Sequence, residues 1–258
     1  MDIGICTKPE AITASLDGLE YIEPTVKDLL CPAEDEGVFS QRLAALEACP
    51  CPAYAVNCLF PGSLKTTGPD ANNTAVDEWF STVCRRAEQA GVQYIVYGSG
   101  GSRTVPDGFD LAQARRQIVG HLKRFGPIAA DCEVTLVLEP LNSGNGECNI
   151  VTSVREGAEI VAEVDHPAIR LLADTYHMAV DGEDPDAIRE AGDLIEHVHA
   201  AEAQGRRPVG TAEDHRPYFA ALKDISYEGH ISIEARWDDF TLELSPAVRN
   251  LRKQWEEA

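Results

Sequence analysis

Four side chains that commonly bind metal ions recur at nearly regular intervals in the second half of the chain. They are Glu139, Asp174, His199 and Glu234, separated by 35, 25 and 35 residues. Each directly follows an apolar residue at the end of a short β-like run. Burying an unpaired charge costs several kcal/mol, so carboxylates in such positions need a cation or a partner. The spacing therefore predicts that the four side chains converge on one cation.

A set of three carboxylates and one imidazole suits hard or borderline cations. We expect one divalent metal ion, which this ligand set allows to be Mn²⁺, Mg²⁺, Co²⁺ or Zn²⁺. Taken singly, Glu139 is equally interpretable as a helix cap or a surface carboxylate, and His199 as a hydrogen-bonded structural histidine. The shared spacing of all four, which surface charges rarely match, favours the metal site.

The four side chains can converge only if their strands end at the same end of one sheet. Short apolar runs alternate with amphipathic helical runs, a pattern typical of parallel sheets covered on both faces. Eight strands are predicted: Ile3 to Cys6, Tyr21 to Glu23, Tyr54 to Leu59, Tyr94 to Tyr97, Val134 to Glu139, Ile169 to Asp174, Ile195 to His199 and His230 to Glu234. The clearest helices are Ala75 to Ala90, Leu111 to Ala130, Val151 to Val164 and Pro246 to Glu257.

Eight β/α units in 258 residues close most naturally into a barrel. The predicted fold class is therefore α/β, a (β/α)8 TIM barrel, and no linker divides residues 1–258, which favours a single domain. A doubly wound open sheet is the alternative. It would need a GxGxxG turn after an early strand, which the GSGG run at residues 98–101 matches only in part.

Four segments around the same side chains resemble the xylose isomerase-like barrel superfamily: LEPLN at 138–142, LLADTYHM at 171–178, HVHAAE at 197–202 and SIEARW at 232–237. The nearer similarity is to sugar isomerases and epimerases of the D-tagatose 3-epimerase and hydroxypyruvate isomerase type. The resemblance implies that Glu139, Asp174, His199 and Glu234 bind the metal. It also implies that Glu139 and Glu234 form the acid/base pair. The motifs are specific for the superfamily rather than for one substrate.

The resemblance further implies residues that contact substrate. His177, three residues after Asp174, matches a ligand of a substrate oxygen. The family's second glutamate is expected six residues after the first, but position 145 is Asn, so a two-residue insertion assigns that role to Glu147. The family's arginine after the HxH motif matches either Arg206 or Arg207 in QGRRPVG, where the usual Pro-Gly turn is altered.

The implied substrate is small, polyhydroxylated and carbonyl-bearing. One glutamate would remove a proton next to the carbonyl, and the other would return it to the enediolate, giving isomerase or epimerase activity. A hydride shift usually needs a second metal and more ligands. A dehydratase of the inosose or dehydroshikimate type would use the same metal and glutamates and remains an alternative. Sugar binding without catalysis would be marked by a lost ligand, and all four are present.

The charge of the chain restricts its partners. Asp and Glu total 43 against 22 Lys and Arg, a net charge of −21. A field of this sign repels phosphate backbones and anionic membranes, so we expect no nucleic acid and no membrane as partner. An apurinic endonuclease-like repair enzyme is a remote alternative, because it needs a basic face and more histidines than the seven present. Homo-oligomers are common among such enzymes, but no interface is recognisable.

The N-terminal residues and the cysteines bear on the compartment. The start MDIGICTKPE lacks a basic region and a long apolar stretch, so no signal peptide is predicted. No run reaches the roughly 18 apolar residues of a membrane helix. Eight cysteines without a CxxC pair or zinc-binding spacing favour free thiols in a reducing compartment. The expected location is the cytoplasm.

Overall fold

The computed structural model describes residues 1–258 and contains eight strands paired in parallel. They are β1 Asp2–Ile5, β2 Tyr21–Ile22, β3 Ala55–Val56, β4 Tyr94–Tyr97, β5 Thr135–Leu138, β6 Ile169–Asp174, β7 Ile195–Ala200 and β8 His230–Ile233. Their order is β2-β1-β8-β7-β6-β5-β4-β3. An isolated parallel bridge between Ile22 and Ala53 connects the two ends of this order. The strands thus form a nearly closed barrel, which confirms the predicted fold class.

Helices follow the strands and cover the barrel. They are α1 Val26–Leu29, α2 Glu36–Glu47, α3 Asn73–Ala90, α4 Gly100–Arg103, α5 Leu111–Asp131, α6 Val154–Val164, α7 Thr175–Asp181, α8 Asp186–Ala191, α9 Arg216–Asp224 and α10 Phe240–Glu257. Two single turns of 3-10 helix lie at Pro9–Ala11 and Gly192–Leu194. None of the helices combines the length and apolar character needed to cross a bilayer.

The central strands show why near-continuous apolar runs build this barrel. Val96, Val137 and Leu172 form a small cluster of their own on one face of β4, β5 and β6. Their neighbours along the strands, such as Ile95 and Leu136, belong to the large core that also contains the helix residues. Because side chains alternate between the two faces of a strand, a strand buried on both faces is apolar at successive positions.

Capping side chains set the helix starts more than the apolar pattern does. The pattern places the start of the last helix at Pro246, whereas α10 begins at Phe240. There the Asp239 carboxylate accepts a hydrogen bond from a backbone N–H of the first turn. Similarly, α6 begins three residues later than the pattern indicates, because the Ser153 hydroxyl caps it. A capping hydroxyl or carboxylate satisfies backbone donors that have no partner inside the helix.

Several strands are shorter than the apolar runs that predict them. β2 ends at Ile22 and β3 at Val56, and the backbone turns at Cys58, where φ is +55°. β5 and β8 each end one residue before a predicted metal ligand. Glu139 and Glu234 therefore stand on the first residue of a loop, at the rim of the barrel.

Candidate metal centre

The four predicted ligands meet at the rim formed by the C-terminal ends of β5 to β8. Glu139 follows β5, Asp174 ends β6, His199 is next to last in β7, and Glu234 follows β8. One potential ligand atom from each side chain lies within 4.8 Å of those of the other three. Residues far apart in the chain are brought together because successive parallel strands of a barrel end on the same rim.

The geometry of the four side chains fits one divalent cation. His199 Nδ1 lies 3.2 Å from Glu139 Oε1 and 3.0 Å from Glu234 Oε2. Asp174 Oδ1 accepts a hydrogen bond from the backbone N–H of Tyr176, which leaves Oδ2 on the side of the other ligands. Ligand atoms that lie about 2.0–2.2 Å from one ion are about 3–4 Å apart. Three carboxylates and an imidazole at these separations suit the expected class of ion.

Neighbouring charges shift the pKa values of the groups around this centre. Burial alone would raise the pKa of Glu234, but Arg206 and His199 lower it to about 2. Burial would likewise lower the pKa of His199, yet Glu23 and Glu234 raise it well above its ordinary value. Arg206 and His199 thus compensate only part of the negative charge of the clustered carboxylates Glu139, Asp174 and Glu234. A divalent cation would compensate the remainder.

Two neighbouring arginines lie on different sides of the rim. The Arg206 guanidinium donates to Glu234 Oε2 at 2.5 Å and lines the same cavity as Glu139 and Glu234. Arg207 instead pairs with Asp238 and Glu243, and it is absent from the cavity wall. Of the two arginines that the resemblance leaves open, the structure brings only Arg206 to the candidate site.

His177 is held in one orientation by Asn142. The Asn142 backbone N–H donates to His177 Nδ1 at 3.1 Å, and its side-chain nitrogen lies 2.7 Å from the same atom. Because Nδ1 accepts, the proton of the neutral ring is on Nε2. That nitrogen is buried without a hydrogen-bond partner, 3.4 Å from Asp174 Oδ2 and 3.8 Å from Glu139 Oε1. A free donor therefore lies beside the ligands.

Glu147 reaches the same cavity from the loop after β5. Its Oε1 accepts from the Asn142 side chain and from the Tyr176 hydroxyl, both at 3.2 Å. Its Oε2 lies 3.6 Å from Arg206 Nη1. Asn145, the residue at the family's usual spacing, instead donates to the Tyr176 hydroxyl. The shifted position thus brings a carboxylate to the cavity.

The cavity that contains these side chains has a volume of about 280 Å³. Its remaining wall comes from the loops after β3, β4 and β5 and from the start of α4, namely Asn57, Cys58, Phe60, Ser99, Gly100, Gly101 and Leu141. Most of this wall is polar or backbone. A small polar molecule that binds here contacts hydrogen-bonding groups on several sides.

The loop after β4 packs directly against Glu139. A Cβ atom added to Gly98 would lie 2.0 Å from Glu139 Oε2, so only glycine leaves this carboxylate in place. The buried Arg103 of α4 donates to the Glu139 carbonyl at 2.9 Å and to the Tyr97 carbonyl at 3.0 Å. The GSGG run thus supports a predicted metal ligand from behind.

Glu23 is a buried carboxylate beside the candidate metal centre, and it is not one of the four predicted ligands. Its Oε1 lies 2.8 Å from His199 Nε2 and its Oε2 lies 2.8 Å from His197 Nε2. Burial would raise the pKa of Glu23, but the two imidazoles lower it overall. Potential ligand atoms of Cys6, Glu23 and His199 also lie within 4.8 Å of one another. The sequence contains a signal for this residue, because Glu23 ends a predicted strand as the four predicted ligands do.

Almost the whole sequence of the barrel matches a known family. The family model described as xylose isomerase-like TIM barrel matches residues 13–258. This chain belongs to the xylose isomerase-like TIM-barrel family. One related protein of known name is L-ribulose 3-epimerase from Methylomonas sp. (strain DH-1), 35% identical over 144 residues, which are 55% of this chain and 48% of that protein. The chain spans about half or less of the length of the curated relatives it matches.

Solved structures with the xylose isomerase-like fold superpose on the complete chain. A crystal structure of D-psicose 3-epimerase in the presence of D-fructose has a TM-score of 0.81 at 18% identity, covering 100% of this chain and 98% of that one. The structure of IOLI protein with a binding zinc atom has a TM-score of 0.73 at 18% identity, covering 100% and 97%. Similarity at this level of identity bears on the fold.

Proposed function

We propose that the protein is a divalent-metal-dependent epimerase that inverts carbon 3 of a small ketose. The observation that carries this proposal is the convergence of Glu139 and Glu234 with Asp174 and His199 at a polar cavity. The names of the related proteins, D-psicose 3-epimerase and L-ribulose 3-epimerase, support the same reaction. The carbon acid next to a carbonyl needs both a base and stabilisation of the charge that develops.

The metal would be held by the four rim residues. A divalent ion bound there supplies Lewis-acid stabilisation of the negative charge on the enediolate oxygens. The zinc in the structurally similar IOLI protein supports an ion of this class on this fold. Glu139 and Glu234 also line the cavity, so the carboxylates proposed to bind the ion would lie next to a bound substrate.

Proton transfer is assigned to the two glutamates. Glu139 and Glu234 come from β5 and β8, which are separated by two strands in the sheet, so they approach a molecule in the cavity from different sides. One removes the proton from carbon 3 and the other returns a proton to the opposite face. His177 donates its free N–H to a substrate oxygen, while Arg206 and Glu147 bind hydroxyl groups.

The cavity favours a ketose without a phosphate group. Arg206 is the single cationic side chain in its wall, and it is already paired with Glu234 and lies close to Glu147. Two further carboxylates, Glu139 and Asp174, are within a few ångströms of the same space. A phosphate dianion would meet a negative potential there, whereas neutral hydroxyls find both donors and acceptors.

The proposal is tested with Mn²⁺-loaded protein and a panel of D-psicose, D-fructose, D-tagatose and L-ribulose. We expect products of unchanged mass that differ at carbon 3, separated by chromatography. In D₂O, the product should gain one deuterium at that carbon, because the returning proton comes from a carboxyl group in exchange with solvent. A hydride shift would transfer the original hydrogen without exchange.

Matched substitutions identify the proton carriers. E139Q and E234Q should each lower kcat by about 10²- to 10⁴-fold, since an amide cannot carry the proton. E190Q, at an exposed position of helix α8, is the control and should retain the wild-type rate. Normal turnover in either site variant contradicts the mechanism. A product with a new ultraviolet chromophore from an inosose would instead identify a dehydratase.

A further inference from the structure

Glu23 contacts two histidines but does not line the substrate cavity. Its side chain is fully buried beneath the rim, and its Oε1 lies 2.8 Å from His199 Nε2. Its Oε2 lies 2.8 Å from His197 Nε2 and accepts a hydrogen bond from Ser232 Oγ at 2.5 Å. A fully buried carboxylate with all its partners inside the protein therefore lies directly behind one metal ligand.

The contact with His199 has a fixed direction. An ionised carboxylate only accepts hydrogen bonds, so Nε2 of His199 must carry the proton that Glu23 receives. The other ring nitrogen, Nδ1, faces Glu139 and Glu234 at 3.2 and 3.0 Å. A histidine that binds a metal through one nitrogen needs a lone pair there and usually donates its other N–H to a carboxylate or carbonyl.

The carboxylate of Glu23 is itself held in place. Ser232 Oγ, which donates to Glu23, also lies 2.8 Å from the Tyr21 hydroxyl. His197 packs edge-on against the ring of His199, with 5.2 Å between ring centroids. These partners come from β2, β7 and β8, so three strands orient the carboxylate. Rotation of the Glu23 side chain would break several buried hydrogen bonds at once.

We propose that Glu23 is a positioning residue, which keeps the proton of His199 on Nε2 and directs Nδ1 at the divalent cation. This inference rests on the proposed function, because it concerns the metal that the epimerase needs. Glu23 does not touch substrate. Its effect is expressed in how tightly the ion binds and in which nitrogen of His199 binds it.

Metal affinity is the first test, measured by calorimetric titration of the purified, chelator-treated protein with Mn²⁺. Loss of a carboxylate behind a ligand histidine typically weakens metal binding about 10- to 100-fold, and this is the expected result for E23A. E23Q should lose less, because its amide oxygen still accepts from His199, although more weakly than a carboxylate. An unchanged Kd in folded E23A would overturn the inference.

A matched control variant separates the effect of the position of Glu23 from the effect of removing a buried negative charge. Glu202 is another buried glutamate after β7, but its carboxylate accepts from the backbone N–H of Gly210 rather than from a histidine. E202Q therefore removes one buried negative charge from the same end of the barrel and should change the Kd for Mn²⁺ by less than about threefold. If E23A does not fold by circular dichroism, E23Q decides the question. A Kd for E23Q equal to that of E202Q contradicts the proposal.

The ring nitrogen is tested directly by NMR of Zn²⁺-loaded protein with ¹⁵N-labelled histidine. We expect His199 to carry its proton on Nε2 and to bind zinc through Nδ1, with its resonances assigned by their loss in H199Q. Zinc bound through Nε2 would overturn the inference. Neither measurement uses a sugar, so a wild-type protein that binds metal normally can fail this test while the epimerase proposal stands. A wild-type protein that binds no divalent ion removes both proposals.

Discussion

The position of the Glu139 side chain is restricted by close contacts with its neighbours. Its carboxylate lies against Gly98 on one side and 3.2 Å from His199 Nδ1 on another. Its carbonyl accepts a hydrogen bond from the buried Arg103. Each contact restricts one degree of freedom of a residue that is expected both to bind metal and to move a proton. Small substitutions around it should therefore have large effects on rate.

Replacing Gly98 with alanine should displace Glu139. The added Cβ would lie 2.0 Å from Glu139 Oε2, far inside van der Waals contact. A shift of about 1 Å in a reacting group costs on the order of 100-fold in rate, so we expect kcat to fall by about that factor. G120A, in helix α5 and outside the cavity wall, is the control, because its Cβ would lie 3.7 Å from Arg124 Nη1. Equal kcat values for the two variants would contradict this account of Gly98.

The two adjacent arginines should differ strongly in their effect on catalysis. R206A removes the guanidinium that donates to Glu234 and lines the cavity. Loss of hydrogen bonds to charged groups is worth about 1.5–3 kcal/mol, so kcat/KM should fall about 10- to 100-fold. R207A breaks pairs with Asp238 and Glu243 outside the cavity and should change kcat/KM by less than about threefold. Steady-state kinetics of both variants would reveal the opposite order if the assignment is wrong.

At the scale of elements, helices are joined to the loops of the rim by buried polar contacts. His121 of α5 is an example: its Nε2 lies 3.0 Å from the Thr66 carbonyl, and its Nδ1 lies 2.7 Å from Arg124 Nη2. Arg124 donates to Nδ1, so the neutral ring donates from Nε2 to the carbonyl. The ring thus ties the helix to the loop after β3, which also supplies part of the cavity wall.

This contact should make stability depend on pH. Burial, followed by the charge of Arg124, lowers the pKa of His121 to about 4, while the Thr66 carbonyl and Asp77 act in the opposite direction. Because the folded pKa is lower than the unfolded value of about 6.5, the unfolded chain binds the proton more readily. The contribution to stability is complete above about pH 6.5 and is lost as the pH falls from there to about 4.

The measurement is the free energy of unfolding in urea at several pH values. H121Q keeps a donor and an acceptor but cannot titrate, so its free energy of unfolding should fall less between pH 6.5 and 4 than that of the wild type. K123Q, an exposed substitution on the same helix, should follow the wild-type curve. Parallel curves for H121Q and the wild type would exclude His121 as the source.

The whole molecule carries a net charge of −21, and three of its carboxylates lie close together at the rim of the barrel. Like charges repel in the folded state, and the three carboxylates among the predicted ligands, Glu139, Asp174 and Glu234, add to this repulsion where they meet. A divalent cation that binds only the folded chain would offset part of this repulsion and so stabilise the folded state. Metal binding should therefore be visible in global stability as well as in activity.

Adding Mn²⁺ to chelator-treated protein should raise the Tm. At a free concentration of 100 times Kd the stabilisation is about 2.7 kcal/mol, which for a chain of this size corresponds to roughly 5–10 °C. D174N, which weakens one ligand, should show a smaller rise at the same concentration, whereas E190Q should show the full rise. A wild-type Tm that does not respond to Mn²⁺, Mg²⁺, Co²⁺ or Zn²⁺ would contradict the metal centre.

The sequence by itself determined the barrel and predicted which four side chains meet at its rim. Strands buried on both faces leave an apolar rhythm, and a charge at the end of such a strand stands out against it, as Glu139 and Asp174 do. Helix starts such as that of α10 were harder to predict from the sequence. The single carboxylate of Asp239 sets this start, and many exposed carboxylates cap no helix. The same strand-end pattern also marks Glu23. Its proposed role depends on its two histidine partners, which the pattern does not identify.

Only the tertiary structure decided which groups face each other. Arg206 and Arg207 are neighbours of identical type, and the direction each takes depends on the local backbone, where Arg206 has φ of +53°. Glu23 lies 174 and 176 residues from the histidines it contacts, a separation that no local pattern encodes. Period and spacing specify which face or end of an element a residue occupies. Hydrogen-bond direction and close approach depend on how several elements pack, so they arise only when the barrel closes.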